Sequence, residues 1–267
     1  MYYYRVKIAY KGTKYFGWQA QSTDTQYESK PTIEGRILNC LKKMTHYRPC
    51  TLSVASRTDG GVHAQGQRAK ITLPIEISPE HLFLGLNSLL HADIRILACV
   101  ASTKDYQPSR STVSKEYHYY FGTSRVDNVA ISDIALHLPI DGDFPKVMAL
   151  LSSACQLFVG RHDFYNFSSQ DKDAGTTVRQ VYYCDIHPLN FLPLADNMYY
   201  LKIIGNGFLK YMIRYLMGAL IELANGRITL EDVALHLQQH QSYKLSPRAK
   251  AKGLHLVNID EVGVGVH

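Results

Sequence analysis

Between Tyr2 and Tyr10 the side chains alternate, with Tyr4, Val6, Ile8 and Tyr10 to one side and Arg5 and Lys7 to the other. That period of two is the mark of a half-buried strand, which Lys11-Gly12 ends. Thr32 then caps a helix with Ile33, Ile37, Leu41 and Met44 at helical spacing. Strands follow near Thr51–Ala55 and Arg68–Leu73, a helix opens at Ser78-Pro79 and runs through Leu82, Leu86 and Leu89, and a strand covers Ile94–Val100. The order is βαββαβ. The remainder repeats it: strand Tyr117–Phe121, helix Phe144–Phe158, strands Val178–Ile186 and Met198–Ile204, a long helix Phe208–Leu223, an added helix Leu230–Gln239 and a strand Leu254–Ile259.

The halves share no residue-level repeat, only this pattern. A split βαβ unit occurring twice predicts an α+β fold of two antiparallel sheets with helices on one face, a topology that RNA-binding sheets often use. The junction falls at Ser102–Pro108, which divides the chain into 1–105 and 106–267.

Composition narrows the function. The 267 residues carry 29 Lys and Arg against 23 Asp and Glu, a net charge of +6, and 46% are hydrophobic, so disordered and fibrous classes are excluded. The most apolar stretch, Phe208–Ala224, is interrupted by Lys210, Arg214 and Glu222, and no signal-like segment opens the chain. A soluble cytoplasmic protein is expected. Five scattered cysteines form no C-x-x-C pair and read as reduced thiols. The basic balance and 19 tyrosines against 9 phenylalanines lean toward a nucleic-acid partner, because tyrosine stacks on bases and tolerates water.

The most informative segment is Ser56–Gln67, which packs Arg57, Thr58, Asp59 and His63 into seven positions beside three glycines. A turn in which Asp59 caps backbone N–H groups is the plainer reading, but a turn rarely needs a charge pair beside a histidine. The loop lacks the Lys-Ser/Thr ending of a P-loop and the second aspartate of phosphoryl-transfer enzymes, which leaves a lone carboxylate nucleophile. Arg214 lies on an apolar helical face and either finds a carboxylate or phosphate or snorkels to the helix edge. In Lys115–Tyr120, alternation puts Tyr117 and Tyr119 on one face, where they pack or stack on a base. Tyr15-Phe16-Gly17-Trp18-Gln19 reads as a packed aromatic hairpin in preference to a base platform. Basic residues gather at Lys244, Arg248, Lys250 and Lys252, and at Lys11/Lys14, Lys42/Lys43 and Arg68/Lys70, as solvated surface or as a phosphate-binding groove. His236 and His240 are spaced like a metal pair without a third ligand; they read as solvent-facing histidines, and no metal is predicted.

Arg57-Thr58-Asp59-Gly60-Gly61-Val62-His63-Ala64 resembles the R-T-D-x-G-V-H-A motif of the tRNA pseudouridine synthase A (TruA-type) family. Four further motifs stand in order along the chain: Tyr15–Gln19 before it, and after it Lys115–Tyr119 like K-x-Y-x-Y, Phe208–Gly218 like F-x-x-x-M-V-R-x-x-x-G and Ala249–Leu256 like A-x-x-x-G-L-x-L, with Asp163-Phe164 and Arg179 between Tyr119 and Phe208. The resemblance implies a cofactor-free homodimer that isomerises uridine to pseudouridine at positions 38 to 40 of the tRNA anticodon arm. Each subunit would be two RRM-like halves whose sheets join, with a cleft between them. It also implies Asp59 as nucleophile with Arg57 positioning its loop, Tyr117 stacked on the target uracil, Arg214 as the aspartate's partner, and Arg110, Lys115, Arg179 and His63 at the substrate. Asp59 would attack the sugar or assist elimination, and the uridine would be flipped out of its stack.

Two places depart from the family. Tyr106-Gln107-Pro108-Ser109-Arg110-Ser111 stands where the family has F-H-x-R-[FY]-S, with the arginine one position late, and Asp171-Lys172-Asp173-Ala174-Gly175 brings two acids to a tRNA-contacting segment. The competing reading is a non-catalytic RNA-binding protein or chaperone. A hydrolase is a weaker third, for want of a second acid or base.

Overall fold

A computed structural model describes residues 1–19, 31–140, 142–169, 175–189 and 197–262. The regular elements, in chain order, are β1 (Tyr2–Tyr10), α1 (Ile33–Met44), β2 (Thr51–Val54), β3 (His63–Leu73), α2 (Pro79–Leu89), β4 (Ile94–Ser102), the single turn α3 (Pro108–Ser111), β5 (Thr112–Gly122), β6 (Leu136–His137), α4 (Phe144–Phe158), β7 (Gly160–Asp163), β8 (Val178–Pro188), β9 (Met198–Gly205), α5 (Met212–Ala224), α6 (Leu230–Gln238) and β10 (Leu254–Glu261). They form two compact units, one of Met1–Val113 with the chain from His255 onward, the other of Ser114–Leu254.

In the first unit β1 is central. It pairs antiparallel with β3 (Val6 opposite Ala69) and with β4 (Val6 opposite Cys99), β2 extends β3, and β10 joins β3 in parallel, with His255 opposite His63. The alternation read in β1 is present: Tyr4, Val6, Ile8 and Tyr10 are buried and the residues between them are not. They share the core with Ile37 and Leu41 of α1 and with Leu82 and Leu86 of α2. Burying each such aliphatic side chain stabilises the fold by about 1.5–3 kcal/mol. Both helices start where the sequence places them, because the hydroxyls of Thr32 and Ser78 accept hydrogen bonds from Gly35 N and His81 N, 3.2 Å each.

The second unit orders its strands β5-β9-β8-β7, all antiparallel, with β6 alongside β5. Tyr119, Phe121, Leu151, Phe158, Leu201, Ile203 and Leu216 fill its core. Asp143 caps α4 through Lys146 N, and Thr229 and Asp232 close a capping box on α6.

Three expected elements fall differently, and α3, β6 and β7 have no counterpart in the sequence reading. The strand expected to close the second half, β10, pairs in parallel with β3 and groups with the first unit, so the compact units do not follow a cut between 105 and 106. The strand expected from Arg68 begins at His63, inside the glycine-bearing motif. There Gly66 admits a neighbouring strand: a Cβ on it would lie 2.2 Å from the Val257 carbonyl oxygen. The long helix starts at Met212 rather than Phe208, because Tyr211 takes a left-handed backbone with φ +64°. No helix among the described residues is long and apolar enough to cross a membrane.

Candidate active site

Asp59 opens a tight turn in which Val62 N donates to the Asp59 carbonyl, 3.2 Å, and Gly61 takes φ +82°. A positive φ at the third position of a turn is what glycine supplies without strain. Gly60 occupies the second position, where a Cβ would meet only ordinary contacts at 3.5 Å or more. The turn is held from several sides. Trp18 N donates to the Thr58 carbonyl (3.0 Å) and Gly61 N to the Tyr15 carbonyl (3.1 Å). The Thr58 and Tyr10 hydroxyls are 2.7 Å apart, and Gln67 Nε2 donates to the Ser56 carbonyl at 2.6 Å.

The Tyr15–Trp18 motif is therefore the buttress of the aspartate loop. Its tryptophan is 1% exposed and tilts against Tyr10, so it is packed as expected, but the segment holds no strand of a hairpin and Phe16 is exposed. Gly17 (φ +95°) is required there, since a Cβ would lie 2.8 Å from the Thr58 carbonyl oxygen. His63, 2% exposed, accepts from Gly12 N at Nδ1 (3.3 Å) and stacks on His255, with ring centroids 4.4 Å apart. It braces the loop from the interior. Asp59 itself is half-buried and Arg57 is exposed.

In the second unit Tyr117 is 6% exposed and meets Phe208 edge to face, with centroids 5.4 Å apart at 86°. Phe208 lies in the turn between β9 and α5. Asn206 fixes that turn by donating from its N to the Gln180 carbonyl and accepting from Gln180 N at Oδ1, both 3.0 Å. Sequence reasoning missed Phe208 as the neighbour of Tyr117; the available signal is Asn206-Gly207, a turn dipeptide just before it. Lys115, two residues before Tyr117, has its pKa brought down to about 8, first by burial and then by repulsion from Arg179. Arg179 donates from Nη1 to the Thr176 and Val178 carbonyls, 2.7 Å each.

Arg214 donates from Nε to the Ala249 carbonyl at 2.8 Å, and Ala249 N returns a hydrogen bond to the Arg214 carbonyl at 2.9 Å. The guanidinium also lies 5.4 Å from the Tyr211 ring centroid and lowers the Tyr119 pKa, although burial dominates that residue and raises it overall. Within its unit this cation is thus fixed by backbone and flanked by rings, rather than snorkelling.

Arg110 is exposed on α3. Tyr106, at the departure from the family pattern, donates its hydroxyl to Glu261. The acidic departure Asp171-Lys172-Asp173-Ala174 lies outside the described residues. Several of the basic side chains are structural ties: Lys244 donates to the Ser168 and Asn166 carbonyls (2.6 and 3.1 Å), Lys252 to the Ser132 carbonyl (2.6 Å) and Lys70 to the Lys104 carbonyl (3.0 Å). His236 is 1% exposed rather than solvent-facing, and its Nδ1 meets the Asp232 carbonyl at 2.8 Å. His240 lies beyond the end of α6 and pairs with Asp163 at 2.9 Å.

A family model described as tRNA pseudouridine synthase matches residues 154–260. A tRNA pseudouridine synthase A 2 of Desulfotalea psychrophila is 72% identical over 260 residues, 97% of this chain and 99% of the relative. The tRNA pseudouridine synthase A 2 of Protochlamydia amoebophila is 32% identical over 96% of this chain and 92% of its own length, and the tRNA pseudouridine synthase A of Caldicellulosiruptor bescii is 31% identical over 94% and 96%. A chain from a solved Cbf5-Nop10-Gar1 complex superimposes at a TM-score of 0.37 with 9% identity, over 95% of this chain and 48% of that one. Sustained identity along nearly its whole length places the chain in the tRNA pseudouridine synthase A family.

Proposed function

We propose that this tRNA pseudouridine synthase isomerises uridine to pseudouridine at one or more of positions 38, 39 and 40 of the anticodon arm, with Asp59 as the group that starts the reaction. Atoms balance within the nucleotide: the N1–C1′ bond breaks, the uracil turns, C5–C1′ forms, and the proton lost from C5 is matched by one gained at N1. What supports Asp59 is the way its loop is built. A turn that needs glycine at Gly61, braced from Tyr15, Trp18, Tyr10 and Gln67, holds one half-buried carboxylate in place, and such preorganisation is what a nucleophile or anionic stabiliser requires.

Tyr117 supplies the ring for the target uracil, and Phe208 sets its plane. Arg214 supplies the cation; its Nε is committed to Ala249, so the terminal amino groups are the ones that meet an anion. Arg57, Arg110, Lys115 and Arg179 contact the RNA, and His63 acts through the loop above it. The reading includes the family's homodimer, its RRM-like halves and a cytoplasmic setting.

The test is pseudouridine formation in an unmodified tRNA transcript. Asp59→Asn and Arg214→Leu should each abolish turnover, and the double variant should be no worse than either, because groups that serve one step are non-additive. Undiminished turnover in Asp59→Asn would refute the assignment.

A further inference from the structure

Tyr211 takes a left-handed backbone, φ +64°, which strains any side chain larger than that of glycine and tends to persist where function holds it. Three cations surround its ring: Arg248 Cζ at 4.2 Å from the centroid, Arg214 Cζ at 5.4 Å and Lys210 Nζ at 5.5 Å. The first turn of α5 contains no acid. Arg248 is exposed, and among the described residues it makes no hydrogen bond or ion pair. A guanidinium lying on a ring keeps its in-plane N–H donors available at its edge, and its forked donors match a phosphate.

The segment that carries Arg248 is fixed. Ser246 Oγ donates to the Tyr215 carbonyl (3.2 Å), Ala249 N to the Arg214 carbonyl (2.9 Å) and the Tyr119 hydroxyl to the Lys250 carbonyl (2.7 Å). Gly218 lets the segment touch α5, since a Cβ there would lie 2.1 Å from the Pro247 carbonyl oxygen.

We propose that Tyr211 and Arg248 form a phosphodiester-binding site for the substrate RNA, gripping its backbone beside the nucleotide served by Arg214. Charge complementarity selects the occupant: a ring-backed guanidinium with unspent donors fits a phosphate, and the substrate proposed above supplies one at every nucleotide. The proposal rests on that reading for the identity of the RNA.

The experiment uses the full chain and an unmodified tRNA transcript, with binding measured from about 50 to 200 mM salt and pseudouridine formation followed in parallel. Arg248→Ala should weaken binding and raise KM by about tenfold, leave kcat within about twofold, and reduce the slope of log affinity against log salt by about one. Arg248→Lys should restore the slope but only part of the affinity, because lysine does not stack. Tyr211→Asn, which tolerates the left-handed backbone, should lose affinity while melting no lower than wild type. Unchanged affinity and slope in Arg248→Ala overturn the site, as does a fall in kcat at unchanged KM. A wild type that makes no pseudouridine, yet shows the Arg248-dependent slope, overturns the reading of the activity and upholds the phosphate site.

Discussion

Lys115 holds an ammonium group largely out of water near the start of β5, where burial and Arg179 lower its pKa from 10.5 to about 8. The folded protein therefore binds this proton less tightly than the unfolded chain. Unfolding takes a proton up between about pH 8 and 10.5, and the residue's contribution to stability rises with pH across that window. Lys115→Met has no such titration, so wild type should gain in Tm relative to the variant as pH goes from about 8 to 10.5. A difference that stays constant with pH would contradict the withdrawn ammonium. At this scale the sequence is most readable where a residue conflicts with its surroundings. Asp59 stands out as a carboxylate between glycines, and Arg214 as a cation on an apolar face. The partner that fixes Arg214 Nε, a backbone carbonyl 35 residues away, carries no side-chain signature and has to be seen.

Among the elements, α5 shows how a small residue aligns a site. Gly218 lies inside the helix, where alanine is intrinsically favoured by about 1 kcal/mol. Here the Cβ would strike the Pro247 carbonyl at 2.1 Å and Ser246 Oγ at 2.8 Å. Gly218→Ala should therefore destabilise the protein by about 1–3 kcal/mol despite its propensity, read by denaturant melting. It should also slow pseudouridine formation, because the displaced segment includes the Ala249 carbonyl that orients Arg214. The periodicity of this helix is plain in the sequence, but its start is not: apolar spacing continues through Phe208–Tyr211 while the backbone at Tyr211 turns left-handed. Likewise, the glycines of the aspartate motif read as loop, yet Gly66 sits within β3 to let β10 approach. One glycine serves a turn and another a close contact, and local composition does not separate the two.

For the whole molecule, the sequence pattern of two βαββαβ halves accounts for most strands and helices, omits α3, β6 and β7, and gives the last strand to the second half, whereas that strand groups with the first unit. Its amphipathic pattern fits either sheet. What decides is the parallel register that sets His255 against His63 and the buried Glu261 carboxylate that receives the Tyr106 hydroxyl. Both are long-range pairings that local patterning does not record. A chain ended at Gly253 should consequently lose hydrogen-exchange protection along β3 and melt its first unit at lower temperature. Full protection there would show that β10 is dispensable. The same strand bears on how the protein is made. Domains ordinarily fold in the order of their synthesis, yet here the first-translated unit cannot complete its sheet until the ribosome has delivered Leu254–Glu261. The loop bearing Asp59 joins β2 to β3, the strand that waits for that pairing, so the earliest-made part of the proposed site is among the last to settle.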